Sequence, residues 1–112
     1  MSDFKPADAE NLCLVEKWLC NAKAKHPHFI DMFTASNATD SDIRLENRRA
    51  ILHNRISLGA TSFIAVLSCE IEEAINAYTH GNFEHARQEL AQCAAVCIRG
   101  MEYIQAELAK GK

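Results

Sequence analysis

Apolar residues recur at intervals of three and four positions along most of the chain, which is the spacing of one buried helix face. The pattern predicts four principal helices, which run from Pro6 to the His26-Pro27 pair, from Asp42 to Leu58, from Gly59 to a turn at residues 80–82, and from Phe83 to Leu108. No segment alternates with a period of two residues, so we predict no strands. We therefore expect one all-α domain over residues 1–112 that resembles a four-helix bundle, with frayed ends at residues 1–5 and 110–112.

The connections between these helices contain residues typical of turns and caps. Residues 34–42 are rich in Ser, Thr, Asn and Asp and are predicted to form a loop, with Asp40 or Ser41 capping the next helix. Gly59 either kinks a continuous helix or breaks it, since one glycine in a helical pattern costs only about 1 kcal/mol. Gly81 suits the left-handed position at the end of a helix and predicts a tight turn there.

Three groups of apolar side chains need to be covered by other parts of the molecule. The first helix presents an apolar face composed of Leu12, Val15, Trp18, Leu19 and Ala22. A short helical turn is predicted over residues 28–33, and we expect three of its side chains to pack inward: Phe29, Ile30 and Phe33. Beyond the main apolar stripes of the last two helices lie Val96, Tyr103 and Leu108. This surplus predicts a homo-oligomer, most simply a homodimer.

Composition and charge narrow the range of partners. The 112 residues are 48% hydrophobic and carry a formal net charge of -3, which is ordinary for a globular domain and gives no basic surface for a nucleic acid. The most apolar run, residues 63–67, is too short to cross a bilayer, and no signal peptide opens the chain. The five cysteines are odd in number and include no Cys-x-x-Cys pair. We therefore expect a cytoplasmic protein with reduced cysteines and no membrane partner.

Two pairs of polar residues flank the apolar stripes of the last two helices. Glu70 and Glu73 share one helix face because they are three residues apart, and Glu89 and Gln92 repeat that spacing. A tight turn at Gly81 would make the two helices antiparallel neighbours, so both pairs could face one cleft. Carboxylates in a poorly solvated cleft need protons, cationic partners or a metal. Oxygen ligands favour Mg²⁺ or Mn²⁺ over Zn²⁺.

Other side chains give weaker indications of function. Arginines of the helix predicted over residues 42–58 could bind phosphates or form a solvated face. These are Arg44, Arg48, Arg49 and Arg55. The histidines lack zinc-binding spacing, and the chain has neither a Gly-x-Ser-x-Gly motif nor a Gly-rich phosphate loop. Glu-x-x-Glu pairs also occur on many solvated helices, so an interaction module without a metal site remains an alternative.

The acidic motifs resemble those of a known enzyme family. Glu70-Ile71-Glu72-Glu73, followed after a turn by Glu89-Leu90-Ala91-Gln92, is similar to the Glu-x-x-Glu … Glu-x-x-Asp signature of the all-α MazG-like nucleoside triphosphate pyrophosphohydrolases. The likeness is closer to a phage-associated, mostly uncharacterised branch that reads roughly Glu-Leu-x-Gln-x-Ala-Ala-Val in its last helix. Glu16-Lys17-Trp18 and His26-Pro27 also resemble that branch. The similarity covers residues 58–104 well and the rest loosely.

The resemblance implies a helical, oligomeric enzyme that binds Mg²⁺ and a nucleoside triphosphate. Members of the family cleave between the α- and β-phosphates, releasing a nucleoside monophosphate and pyrophosphate. Carried over by position, Glu70, Glu73 and Glu89 are metal ligands and catalytic residues, and Gln92 occupies the position of the family's aspartate. A glutamine can offer Mg²⁺ a carbonyl oxygen, but it supplies no negative charge and cannot act as a base.

Three functional hypotheses follow from these observations. The first is a Mg²⁺- or Mn²⁺-dependent nucleotide pyrophosphohydrolase, in which Gln92 contacts the substrate and cationic side chains neutralise phosphate charge. The side chains that could do so are Lys17, Arg48, Arg49 and Arg55. The second is a catalytically degenerate homologue that binds a nucleotide without hydrolysing it. The third is the helical interaction module, whose acids form a solvated face.

Overall fold

A computed structural model of the protein describes residues 5–29, 31–33 and 37–111. Within these ranges the chain forms four α-helices and no strand, which confirms the predicted all-α class. The helices are α1 (Pro6–Lys25), α2 (Ala38–Ser57), α3 (Phe63–Thr79) and α4 (Phe83–Lys110). In the part of the chain that is described, no helix combines the length and the apolar character needed to span a membrane.

The second helix begins earlier than the sequence pattern predicted. Asn37 is its cap, because its side-chain oxygen accepts a hydrogen bond from the backbone N–H of Asp40 at 2.9 Å. Asp40 and Ser41 therefore lie in the first turn, where an acid is favoured by the helix dipole, and neither is the cap. The predicted loop over residues 34–42 is correspondingly shorter, and its residues 34–36 lie outside the described part of the chain.

Two glycines in the left-handed region separate the last three helices. Gly59 has a φ of +68°, and its N–H donates to the carbonyl of Ile56 at 3.0 Å. Helix α2 therefore ends just before Gly59 and does not continue through it as a kinked helix. Gly81 has a φ of +81°, and the following Asn82 N–H donates to the carbonyl of Ala77 at 2.8 Å. This turn of a few residues connects α3 to α4, as predicted.

The chain divides into two compact units. The first contains Met1–Met32 and Ile98–Lys112, and therefore α1 and the C-terminal part of α4. The second contains Phe33–Cys97, and therefore α2, α3 and the N-terminal part of α4.

The second unit has a small core made mainly of short side chains. Its buried apolar residues are Leu45, Cys69, Ala74, Ala77 and Ala86. Helix α2 packs against α3, and polar contacts tie the start of α2 to the end of α3. Asn76 Nδ2 donates to Asp42 Oδ1 at 2.7 Å, and His80 Nε2 lies 2.8 Å from the same oxygen. These two contacts hold the pKa of Asp42 below its ordinary value, His80 having the larger effect.

The first unit buries a polar residue and exposes apolar ones. Asn11 is the one buried residue in its described part, and its Nδ2 donates to Gln105 Oε1 at 2.9 Å. The apolar face predicted for α1 is exposed, with Trp18 at 56%, so the prediction that it is buried is wrong for the single chain. The physical reason is that two helices have too little surface to cover such a face by themselves.

The segment after α1 also differs from the prediction. Residues 26–29 and 31–33 are not helical, because the residue before a proline is disfavoured in the helical region and α1 stops there. Phe29 is 74% exposed and not packed inward, whereas the Phe33 ring lies edge-on to Tyr78 with centroids 5.5 Å apart. Ile30 lies outside the described residues.

Candidate metal centre

Three glutamates from two helices converge in the second unit. Glu70 and Glu73 of α3 and Glu89 of α4 each offer one carboxylate oxygen, and these three oxygens lie within 4.8 Å of one another. The spacing of three residues puts the first two acids on one face of α3. The turn at Gly81 then brings α4 back past them. We call these three residues the acid cluster.

The acid cluster contains buried oxygens that lack partners. Glu89 is only 4% exposed, and acids are almost never this buried unless their oxygens have partners. Among the described residues, Glu70 Oε2 and Glu89 Oε2 are buried and have no hydrogen-bond partner. Leaving such an atom unsatisfied costs about 1–3 kcal/mol, and more when the group is charged. Buried charges in proteins are usually paired or coordinate metals, so these oxygens mark where a cation would be most stabilising.

Glu73 shows the electrostatic consequence of this crowding. Its pKa is raised above the ordinary value, first by desolvation and then by its hydrogen bond with Glu89 and by the negative charge of Glu89. With both carboxylates ionised neither can donate, whereas a proton on Glu73 allows a hydrogen bond between them. Glu73 therefore holds its proton more tightly than an ordinary glutamate does, and a bound cation would displace that proton.

The side chains that pair with the acid cluster are mostly exposed. Arg49 of α2 is 61% exposed, and its Nε lies 3.5 Å from Glu73 Oε1. His85, one turn before Glu89 on α4, places Nε2 at 3.3 Å from Glu89 Oε1. Both contacts are made to Oε1 atoms, so the Oε2 atom of Glu89 keeps no partner. The cluster is thus only partly neutralised by the protein.

Two cysteines lie beside the acids. The thiol of Cys69 is buried and donates to Glu73 Oε1 at 3.8 Å. Burial raises the pKa of Cys69, with a further contribution from the charge of Glu73. Burial also raises the pKa of Cys93, followed by the charge of Glu70. Both thiols consequently stay protonated, which leaves the carboxylate oxygens as the available hard ligands.

Among the described residues, neither Gln92 nor the arginines Arg48 and Arg55 form a hydrogen bond or ion pair with the acid cluster. Gln92 lies on α4, three residues after Glu89, and is exposed. Arg48 and Arg55 of α2 are also exposed. Lys17 belongs to the first unit, where its Nζ lies 5.8 Å from the centroid of the Trp18 ring.

Arg49 and His85 are the neighbours of the acids that sequence reasoning did not single out. His85 precedes Glu89 by four residues, and this spacing is a local signal that could have indicated the contact. Arg49 was one of four arginines on its helix, and nothing local distinguishes it. Its contact with Glu73 depends on how α2 packs against α3.

Comparisons with known proteins do not assign the chain to a family. No protein family, curated protein or solved structure matches it. A functional interpretation therefore starts from the geometry of the acid cluster.

Proposed function

We propose that this protein is a Mg²⁺- or Mn²⁺-dependent nucleotide hydrolase, which adds water across the α–β phosphoanhydride bond of a nucleoside triphosphate. The metal part of the proposal is carried by the acid cluster: Glu70, Glu73 and Glu89 each bring one carboxylate oxygen to within 4.8 Å of the others, and among the described residues Glu70 Oε2 and Glu89 Oε2 are buried without a hydrogen-bond partner. The nucleotide part rests on the resemblance of the acidic motifs to the MazG-like family.

The donor set fits a hard divalent cation. Three carboxylate oxygens match the ligand preference of Mg²⁺ and Mn²⁺. The remaining coordination positions of such ions are usually filled by water and by substrate phosphates. When bound, the ion would neutralise phosphate charge and orient the bond to be cleaved. The Glu73 side chain is more solvent-accessible than that of Glu89, with 23% of it exposed against 5%. Glu73 is therefore better placed to orient an incoming water molecule, and Glu89 to hold the ion.

A degenerate homologue that binds nucleotide without turnover is the second candidate. The observation that favours it is Gln92, which occupies the position of the family's aspartate and cannot act as a base. Replacing it by the family's residue, Gln92→Asp, should tighten metal binding and raise any turnover. The interaction module is less well supported, because a solvated acidic face would not include an acid as buried as Glu89.

We also propose that the protein functions as a homodimer. The exposed apolar side chains of the first unit support this, since they include Leu12, Leu19, Ile104 and Leu108. A second copy would supply the surface that two helices lack. Light scattering at micromolar concentration should give the mass of a dimer, and a monomeric mass would argue against it.

The test of function is pyrophosphate release across canonical and modified nucleoside triphosphates, with and without Mg²⁺ or Mn²⁺. We expect metal-dependent release that Glu89→Gln abolishes. Glu46→Gln, which removes the same charge from an exposed position on α2, should leave it unchanged. Metal-dependent nucleotide binding without release would indicate the degenerate homologue. A wild-type protein that binds neither ion would contradict the proposal.

A further inference from the structure

We infer that Arg49 exchanges partners when the metal centre fills: it pairs with Glu73 in the cation-free protein and binds a phosphate group of the nucleotide once a divalent cation occupies the acid cluster. This inference rests on the proposed function and deepens it. It selects one phosphate ligand among four candidate cationic side chains.

The contact between Arg49 and Glu73 is suited to exchange. The distance of 3.5 Å from Nε to Oε1 is longer than the 2.7–2.9 Å typical of strong charge-assisted hydrogen bonds. The Arg49 side chain is mostly exposed, so the guanidinium can rotate away without disturbing the core. Exposed ion pairs of this kind contribute little stability, so a competing ligand can replace either partner.

Cation binding would change the charge that Arg49 faces. Among the described residues, Glu89 and the thiol of Cys69 also act on Glu73, and neither supplies positive charge. Within the described part of the chain, Arg49 is therefore the cationic side chain that pairs with Glu73 in the cation-free protein. A divalent cation at the same carboxylate would neutralise it and repel the guanidinium. Arg49 would then need a new anion.

A metal-bound polyphosphate is the anion that fits this position. Phosphate oxygens of a bound nucleotide would lie next to the cation, and Arg49 is anchored on α2 beside the same carboxylate. A guanidinium can donate two parallel hydrogen bonds to a phosphate, which an ammonium group cannot do. Arg44 instead pairs with Glu72, at 3.3 Å, and Arg48 is exposed next to Arg49 in sequence.

The experiment measures two affinities separately in wild type and in Arg49→Gln. The first is for Mn²⁺ alone, followed by the electron paramagnetic resonance signal of the free ion. The second is for a nucleoside triphosphate analogue with a non-hydrolysable α–β bridge, measured by calorimetry at saturating Mn²⁺. We expect Arg49→Gln to bind Mn²⁺ about two- to fivefold more tightly, because a competing cation is lost. We expect it to bind the analogue roughly tenfold more weakly.

Two further variants control for charge and folding. Arg49→Lys keeps the positive charge, so its Mn²⁺ affinity should match wild type while its analogue affinity recovers only in part. Arg99→Gln, which removes a similarly exposed arginine that pairs with Glu102, should match wild type in both measurements. Circular dichroism should show that all three variants remain folded.

The possible failures are distinguishable. If Arg49→Gln binds Mn²⁺ no more tightly than wild type, the exchange is overturned and the metal centre stands. If it binds the analogue as tightly as wild type does, the phosphate-binding role is overturned. If the wild-type protein binds no Mn²⁺, both this inference and the proposed function are overturned.

Discussion

The first unit buries the polar side chain of Asn11 and the second that of Glu89, and of these two only Glu89 has a buried polar atom without a partner among the described residues. Asn11 in the first unit is 3% exposed and its amide donates to Gln105 at 2.9 Å. Glu89 in the second unit is 4% exposed, and among the described residues its Oε2 atom has no partner. The two side chains are equally buried and differ in what surrounds them.

This difference separates a structural role from a ligand-binding one. A buried amide with a partner fixes the register of two helices and requires nothing further. A buried carboxylate with an unsatisfied oxygen is destabilising unless something binds to it. The Asn11 pair therefore has a packing role, whereas the partnerless oxygen of Glu89 is the reason for our proposal that Glu89 binds a cation.

The largest expected effect is stabilisation by metal. At a Mn²⁺ concentration of 100 times Kd, binding to the folded state alone raises the free energy of unfolding by about 2.7 kcal/mol. Glu89→Gln should abolish this response while making the metal-free protein more stable, because a buried charge without a full set of partners is removed. Thermal unfolding with and without Mn²⁺ measures both effects. A Glu89→Gln variant that still responds to Mn²⁺ would show that Glu89 is not a ligand.

The second largest expected effect is a loss of stability when Asn11 is replaced. Asn11→Ala leaves Gln105 without its partner and should lower the free energy of unfolding by about 1–3 kcal/mol. The response to Mn²⁺ should be unchanged, because the substitution lies in the other unit. Urea unfolding measures the loss, and a double-mutant cycle with Gln105→Ala isolates the pair. If Asn11→Ala weakened Mn²⁺ binding, the division of roles between the units would fail.

A smaller effect is expected from the cap of α2. Asn37→Ala removes the side-chain acceptor for the Asp40 N–H and should cost about 1 kcal/mol. Because this loss occurs in the second unit but away from the acids, Mn²⁺ affinity measured by calorimetry should stay within error of wild type. A large drop in affinity would mean that general destabilisation, rather than loss of a ligand, explains metal-site variants.

The smallest effect is the pH dependence due to Glu73. Its raised pKa means that the folded protein binds this proton more tightly than the unfolded chain does. That contribution to stability is fully present below the ordinary glutamate pKa of 4.5 and is lost as pH rises through the raised value. Without metal, we therefore expect the free energy of unfolding of wild type to fall relative to that of Glu73→Gln as pH rises above 4.5. A difference that is constant with pH would contradict the raised pKa.

Local sequence patterns were sufficient for much of this geometry. The apolar period predicted four helices, Gly81 predicted the turn, and the spacing of Glu70 and Glu73 fixed one face of α3. These features depend on residues close together in the chain. The cap at Asn37 was missed because several capping residues adjoin it, and sequence alone does not rank them.

Features that depend on tertiary contacts could not be predicted. The contact between Arg49 and Glu73 joins two helices, and its formation depends on how they pack. The burial of Glu89 likewise depends on what lies opposite it. The apolar face of α1 is exposed, although its apolar period indicates a face that is usually buried. The period does not show which part of the molecule, or which partner, would bury that face.

The most direct test of the metal centre is a crystal structure with Mn²⁺, using the anomalous scattering of the ion to locate it. We predict one ion within coordination distance of an oxygen from each of Glu70, Glu73 and Glu89. We also predict that Arg49 no longer contacts Glu73. An anomalous peak elsewhere, or no peak while the three carboxylates keep their present arrangement, would contradict the account.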